Sequence, residues 1–127
     1  MRFLEMHIEV EDVEQALAFY TQLLPHKTVS RWSDGSAAAI VFDDGSAFGL
    51  WQKGKHGMFN GRGAQHLHFA FQVNDQEYEQ FKARLQEMGI ETMEHFWPTG
   101  GKSIYFFDSD GHQGEFMTVD WLALKGL

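Results

Sequence analysis

The strongest constraint on the fold is an internal repeat of hydrophobic patterns. The first half begins with residues 3–10, FLEMHIEV, in which apolar and polar side chains alternate with the period of a half-buried strand. A helix with apolar residues at the i, i+3, i+4 spacing follows, from its cap at Asp12 to its stop at Pro25. Three short strands are then predicted over 28–32, 36–42 and 47–52, so this half is interpreted as βαβββ.

The second half repeats the same order of elements. Residues 65–73, QHLHFAFQV, are predicted as a strand, and a helix follows over about 75–88 with Gly89 at its C-terminal end. Further strands are predicted over 91–96, 103–107 and 114–119, and an Asp-Gly turn precedes the last strand in both halves. We therefore predict an α+β fold of two tandem βαβββ modules that form a curled mixed sheet around a shared groove.

Chain length and loop composition indicate one domain made of these two modules. A chain of 127 residues leaves little room for two independent cores. The run KGKHGMFNGRG, residues 53–63, is rich in glycine and basic residues and is typical of a connecting loop. The predicted boundaries within the single domain 1–127 are module one over about 1–53, a loop over 54–63 and module two over about 64–120.

The charge balance and the absence of cysteine exclude several kinds of partner and site. Ten Lys and Arg against eighteen Asp and Glu give a formal net charge of −8, which disfavours nucleic acid as a partner. Cysteine is absent, so a thiolate nucleophile, a disulfide or a cysteine-ligated zinc is impossible. No run reaches 18 apolar residues and the N-terminus lacks a signal-peptide pattern, so we expect a cytoplasmic protein without a membrane partner.

Histidine with carboxylate is then the remaining good route to a transition-metal site. His7 lies on the predicted first strand of module one, His68 on the first strand of module two and Glu115 on the last strand of module two. If the modules fold alike, corresponding strands face the same groove. Two imidazoles and one carboxylate form a facial set that suits a divalent metal and leaves positions open for water or substrate. His66 shares the strand parity of His68 and is the alternative ligand.

These segments resemble the vicinal oxygen chelate superfamily, which includes glyoxalase I, extradiol dioxygenases, fosfomycin-resistance enzymes and bleomycin-binding proteins. The resemblance is carried by His7, by HFAF at 68–71 and by YFFDSDGHQGE at 105–115, which is similar to the fosfomycin-resistance pattern YFLDPDGHxLE. It implies paired βαβββ modules whose sheets curl around a metal site. It also implies a homodimer, in which one chain or two supply the ligands of each site.

Taken residue by residue, the resemblance implies that His7, His68 and Glu115 are the metal ligands. Tyr105 matches the family tyrosine near the substrate. Glu9 shares the strand parity of His7 and is either a catalytic base beside the metal or a solvated carboxylate. Two histidines and one glutamate suit Fe(II), Mn(II), Ni(II) or Zn(II), so the divalent cofactor is expected without its identity being determined.

Two departures from the family pattern disfavour particular activities of the superfamily, the first of them that of glyoxalase I. The fourth ligand of glyoxalase I, a glutamate, would fall near Gly49, which has no side chain to offer, and Gln52 or Gln65 are the candidates to replace it.

The second departure concerns the cation that binds a phosphonate. The phosphonate-binding lysine of fosfomycin-resistance enzymes aligns with His95, and Lys102 or Arg31 are the candidates to replace it. A dianionic phosphonate requires fixed cations, so fosfomycin thiol transfer is less favoured than general membership of the superfamily.

The leading hypothesis is a metal-dependent enzyme that polarises oxygens of a small-molecule substrate, with lyase, isomerase, dioxygenase or thiol-transferase chemistry. The alternative is a metal-free protein of the bleomycin-resistance type that sequesters a small molecule or an antibiotic. Superfamily members that resemble this second class lack the ligand set. The presence of all three residues therefore favours the enzyme.

Overall fold

The structure is a computed structural model that describes residues 2–54, 68–98 and 100–120. The chain divides into two compact units, Met1–Ala64 and Gln65–Leu127. The predicted α+β class with two βαβββ modules is confirmed, and in the described residues the strands form two open four-stranded mixed sheets. The grouping of both modules into one domain stays a prediction. His66, Gln65 and most of the predicted loop 54–63 lie outside the described residues.

The first unit contains, in chain order, β1 (Glu5–Val10), α1 (Val13–Leu23), β2 (Thr28–Arg31), β3 (Ala37–Val41) and β4 (Ala47–Gln52). The sheet order is β1-β4-β3-β2, with β1 parallel to β4 and the other neighbours antiparallel. Asp12 caps α1 by accepting a hydrogen bond from the backbone N–H of Gln15. The helix therefore begins where the sequence predicts it.

Strand periodicity separates a core face from an open face in this sheet. Ile8 and Val10 of β1 are buried together with Phe48 and Leu50 of β4, on the side where α1 packs against β3 and β4. Alternate residues of β1 point the other way because successive strand residues face opposite sides of a sheet. The open face of the first unit therefore carries the polar residues of β1, namely Glu5, His7 and Glu9.

The second unit contains β5 (His68–Gln72), α2 (Asp75–Glu87), β6 (Thr92–Phe96), β7 (Lys102–Phe107) and β8 (Gln113–Met117). Its sheet order is β5-β8-β7-β6, with β5 parallel to β8, which repeats the arrangement of the first unit. A capping box between Asn74 and Glu77 begins α2. Phe81 of the helix stacks on Phe116 of β8 at a centroid distance of 4.2 Å, so the helix covers one face of this sheet.

Gly114 shows why a small residue stands where the family pattern has leucine. It pairs with Phe106 across β7 and β8, and a Cβ atom at position 114 would overlap the Phe106 ring. Phe106 is fully buried and packs against Phe116 at 5.5 Å between centroids. The aromatic ring therefore takes the volume that a larger residue at 114 would need.

Candidate metal centre

The open face of the second sheet brings together three of the predicted site residues. Ala70 of β5 pairs with Glu115 of β8, which in turn pairs with Tyr105 of β7, and paired residues share a face. His68 lies two residues before Ala70 and therefore on the same face. Its Nε2 atom is 4.0 Å from Oε1 of Glu115. His68, Glu115 and Tyr105 thus form one group opposite the face that α2 covers.

Glu115 is the most unusual member of this group. The residue is 3% exposed, and its Oε2 atom has no hydrogen-bond partner among the described residues. A buried carboxylate oxygen without a partner is costly, because it has lost water and gained nothing in return. The donor set of His68 and Glu115 is the imidazole and carboxylate chemistry that a divalent cation prefers. These residues therefore fit a metal ion.

A cavity of about 690 Å³ opens on this face of the second unit. Besides the three site residues, its walls include Met93, His95, Trp97, Gln113 and Met117. The Trp97 indole donates a hydrogen bond to Ser103 Oγ at 2.8 Å, and His95 meets Trp97 edge-on at 4.4 Å. A mostly apolar cavity with a few polar groups is typical of a small-molecule site.

Tyr105 is half-buried in this cavity. Burial raises the pKa of its hydroxyl, and the negative charge of Glu115 raises it further. Its hydrogen bond to the Glu115 carboxylate also raises the pKa, so at neutral pH the hydroxyl keeps its proton. The hydroxyl can donate a hydrogen bond to an oxygen of a ligand once it exchanges that bond to Glu115.

The other two predicted site residues, His7 and Glu9, lie on the open face of the first unit. His7 pairs with Gly49 and Glu9 pairs with Trp51 across β1 and β4. Nδ1 of His7 accepts a hydrogen bond from the Trp51 indole at 2.7 Å, and Nε2 of His7 is 3.3 Å from Oε2 of Glu5. Glu9 is exposed. The structure thus places the five predicted residues in two groups, one in each unit.

Gly49 and Trp51 are functional candidates that the sequence reasoning missed. The sequence interpretation treats Gly49 as a lost ligand, whereas in the structure a Cβ atom there would overlap the His7 imidazole. The glycine provides the space in which that ring lies. The only sequence signal was the alignment of Gly49 with a ligand position. Gln52, offered as a substitute ligand, has the opposite strand parity and does not share the face of His7.

A second cluster of possible metal donors lies in the turn before β8. One donor atom each from Asp108, Asp110 and His112 lies within 4.8 Å of the others. Oδ1 of Asp108 accepts the backbone N–H groups of Asp110 and His112, and Oδ2 of Asp108 is 2.8 Å from Nδ1 of His112. Asp108 is therefore committed to the turn. This differs from Glu115, whose Oε2 atom lacks such partners among the described residues.

His112 contributes to stability in a pH-dependent way. The Asp108 carboxylate raises the pKa of His112 through their hydrogen bond, and the His112 side chain is only 19% exposed. A raised folded-state pKa stabilises the fold fully below the ordinary pKa of about 6.5, and this contribution is lost as pH rises through the folded-state value. We expect His112→Gln to lose about 1 kcal/mol more at about pH 5.5 than at about pH 8.5. Urea unfolding at both pH values checks this, and an equal loss at both would contradict it.

The two cations proposed to replace the phosphonate-binding lysine are engaged with the helices. Arg31 binds Glu14 of α1 at 2.8 Å, and Lys102 binds Glu79 of α2 at 3.1 Å. Lys102 Nζ also lies 4.3 Å from the centre of the Tyr78 ring. Neither side chain is among the residues that line the cavity of the second unit.

The comparison with known families assigns the class. The chain matches the family model of the Glyoxalase/Bleomycin resistance protein/Dioxygenase superfamily over residues 2–116. The protein therefore belongs to this superfamily, and the predicted membership of the vicinal oxygen chelate group is confirmed. Glutathione transferase FosA of Serratia marcescens is a relative with 24% identity over 115 residues, which cover 85% of this chain and 74% of that protein.

Solved structures share the fold. A lactoylglutathione lyase from Agrobacterium tumefaciens superposes with a TM-score of 0.75 at 19% identity, covering 91% of this chain and 92% of that one. The fosfomycin resistance protein FosX from Listeria monocytogenes gives a TM-score of 0.71 at 19% identity and covers 96% of both chains. Neither of the helices described in this protein is long and apolar enough to cross a membrane.

Proposed function

We propose that this protein is a divalent-metal-dependent enzyme whose ion is held by His7, His68 and Glu115. The observation that carries the proposal is the buried Glu115 carboxylate, which has no hydrogen-bond partner for Oε2 among the described residues and lies 4.0 Å from His68. A bound cation would compensate for that buried charge. His7 enters the ligand set through its match to the first histidine of the family pattern and through the space that Gly49 leaves around it.

The residues around this group have separate tasks in the proposed reaction. A divalent ion, when bound, supplies Lewis acidity toward oxygens of the substrate. The protonated Tyr105 hydroxyl donates a hydrogen bond to a substrate oxygen, and Glu9 is the proposed proton acceptor. Met93, Met117 and Trp97 bind the apolar part of the substrate and exclude water from it.

The proposed substrate is a small oxygen-bearing molecule, and the reaction is of the lyase, isomerase, dioxygenase or thiol-transferase kind. The relative FosA is a glutathione transferase and the Agrobacterium tumefaciens protein is a lactoylglutathione lyase, which supports thiol-transferase and lyase chemistry among these classes. The engagement of Arg31 and Lys102 with helix carboxylates supports a substrate that needs no fixed cation. A homodimer stays a prediction.

Metal titration of the purified protein tests the ligand set. We expect one Mn²⁺ or Zn²⁺ ion per chain. His7→Ala and His68→Ala should each lower the metal affinity tenfold or more, because removing only a residue that hydrogen-bonds to a metal ligand already costs about tenfold. His26→Ala is the matched control, because the His26 ring contacts the carbonyl oxygen of Leu24 and lies outside the proposed site. Unchanged affinity in both His7→Ala and His68→Ala would contradict the assignment.

A metal-free binding protein is the second candidate, and one observation favours it. The lone pair of His7 Nδ1 already accepts the Trp51 indole N–H, so His7 has an internal partner. A cavity with Trp97 and two methionines in its walls would suit an apolar or aromatic ligand without a metal. Ligand-dependent tryptophan quenching in a protein that binds none of Mn²⁺, Fe²⁺, Ni²⁺ or Zn²⁺ would favour this function.

A further inference from the structure

We propose that Trp51 is a positioning residue that competes with the metal ion for His7. The indole N–H occupies the one lone pair that a neutral imidazole can offer, so the Trp51–His7 hydrogen bond must break before His7 can ligate. This inference rests on the proposed function, in which His7 is a metal ligand. It goes beyond that function by adding a residue, Trp51, that controls when the ligand becomes available.

The tautomer of the His7 imidazole follows from its hydrogen bonds. A neutral imidazole carries one N–H donor and one nitrogen lone pair. The hydrogen bond made by one nitrogen determines which of the two nitrogens carries the hydrogen. Nδ1 of His7 accepts the Trp51 Nε1–H at 2.7 Å. The imidazole hydrogen therefore resides on Nε2, which faces Oε2 of Glu5 at 3.3 Å. Both nitrogens are engaged inside the first unit.

A metal ion cannot bind either nitrogen while this arrangement persists. Ligation through Nδ1 would replace the indole N–H directly. Ligation through Nε2 would move the imidazole hydrogen to Nδ1, where it would face the hydrogen of the Trp51 indole, and two donors repel each other. Ligating histidines normally donate their second N–H to a carboxylate, a carbonyl or water, which is the opposite polarity to the indole contact. Both routes therefore require Trp51 to release His7.

The surroundings of Trp51 favour this bond without locking it into the core. Gly49 leaves the space beside β4 in which the His7 ring reaches the indole. The Trp32 ring also contacts Trp51, at 5.2 Å between the two centroids. Trp51 is half-buried and Trp32 is 41% exposed, on the face opposite the buried strand residues. Rotation of the indole away from His7 therefore leaves the helix-covered core unchanged.

Two measurements on the full-length chain test the competition, with Zn²⁺ as the probe. Trp51→Phe removes the donor and keeps an aromatic ring, and we expect about fivefold tighter Zn²⁺ binding, the equivalent of one net hydrogen bond. Trp32→Phe is the matched control, because it makes the same indole-to-phenyl change in the ring beside Trp51, at 5.2 Å between centroids, and leaves the Trp51 donor to His7 in place. We expect no change in Zn²⁺ affinity for this variant.

The second measurement needs no variant that could fail to fold. In a ¹⁵N-edited NMR spectrum of the wild-type protein, the hydrogen-bonded Trp51 indole proton should resonate downfield of a solvated indole. Zn²⁺ addition should move this signal upfield as the bond to His7 breaks, while the Trp97 signal keeps its hydrogen-bonded position. This is a spectroscopic change that a purely structural role of Trp51 would not produce.

The outcomes separate this inference from the function on which it rests. Tight Zn²⁺ binding that needs Glu115, together with equal or weaker affinity in Trp51→Phe and an unmoved Trp51 signal, would overturn the competition and leave the metal site in place. Absence of Zn²⁺ binding by the wild-type protein would overturn both. Tighter binding in Trp51→Phe with an upfield shift in the wild-type protein supports the proposal.

Discussion

Glu115→Gln is expected to lower the affinity for divalent metal by more than about 100-fold and to raise the stability of the metal-free protein by about 1 kcal/mol. Both effects have one cause. The wild-type carboxylate is buried, and although the Tyr105 hydroxyl hydrogen-bonds to it, its Oε2 atom lacks a hydrogen-bond partner among the described residues, so this oxygen is uncompensated without a cation. The neutral amide keeps the shape of the side chain, reduces the cost of burial and loses the charge that attracts a cation.

The measurements are Zn²⁺ titration and urea unfolding in the presence of a chelator. Glu94→Gln is the matched control, because both Glu94 oxygens are engaged, one by the Tyr78 hydroxyl at 2.7 Å and the other by Lys82 at 3.1 Å. This control should lose stability and keep its Zn²⁺ affinity. A Glu115→Gln protein that is less stable than wild type in chelator and binds Zn²⁺ as tightly would mean that Glu115 is a structural carboxylate.

Gly49→Ala is expected to displace the His7 imidazole, with a loss of about 1–3 kcal/mol in folding stability and a tenfold or greater loss of metal affinity. The added methyl group would overlap the His7 ring, which pairs with position 49 across β1 and β4. The imidazole must turn away from the sheet face on which the ligand set depends. A displaced ring also loses the Trp51 hydrogen bond at 2.7 Å.

Gly114→Ala is the control that separates the loss of folding stability from the loss of metal affinity. Its methyl group would overlap the buried Phe106 ring on the helix-covered face of the second sheet, opposite the face that carries Glu115. We expect a similar loss of stability, about 1–3 kcal/mol, with Zn²⁺ affinity retained at concentrations of urea where the variant stays folded. Equal Zn²⁺ affinities in Gly49→Ala and wild type would show that the orientation of His7 is unimportant for the metal.

The sequence predicts most elements of both units because each one carries a local signal. Alternating polarity predicted a strand over 3–10, and the structure has β1 at Glu5–Val10. The cap and the apolar spacing located α1, which begins directly after Asp12. The last strand was predicted over 114–119 and is observed at Gln113–Met117. Periodicity identifies such elements well. Their ends depend on individual backbone hydrogen bonds, so the observed ends differ from the predicted ones by one or two residues.

The parts of the site that escaped prediction depend on contacts between distant residues. Trp51 and His7 are 44 positions apart and meet only because β1 and β4 pair in one particular register. Strand parity alone could not tell that Gly49 faces the imidazole. His112 lies in a turn, yet its side chain is only 19% exposed because it bonds to Asp108. These features require the tertiary structure, since no local pattern encodes a partner across a sheet.

The most direct test of the central claim is a crystal structure of the Zn²⁺-loaded protein with anomalous diffraction at the zinc edge. The proposed ligand set predicts one anomalous peak per chain, about 2.0–2.2 Å from a nitrogen of His7, a nitrogen of His68 and an oxygen of Glu115, from one chain or from two. The same map should show the Trp51 indole released from His7. A peak at Asp108, Asp110 and His112, or no peak beside Glu115, would contradict the claim.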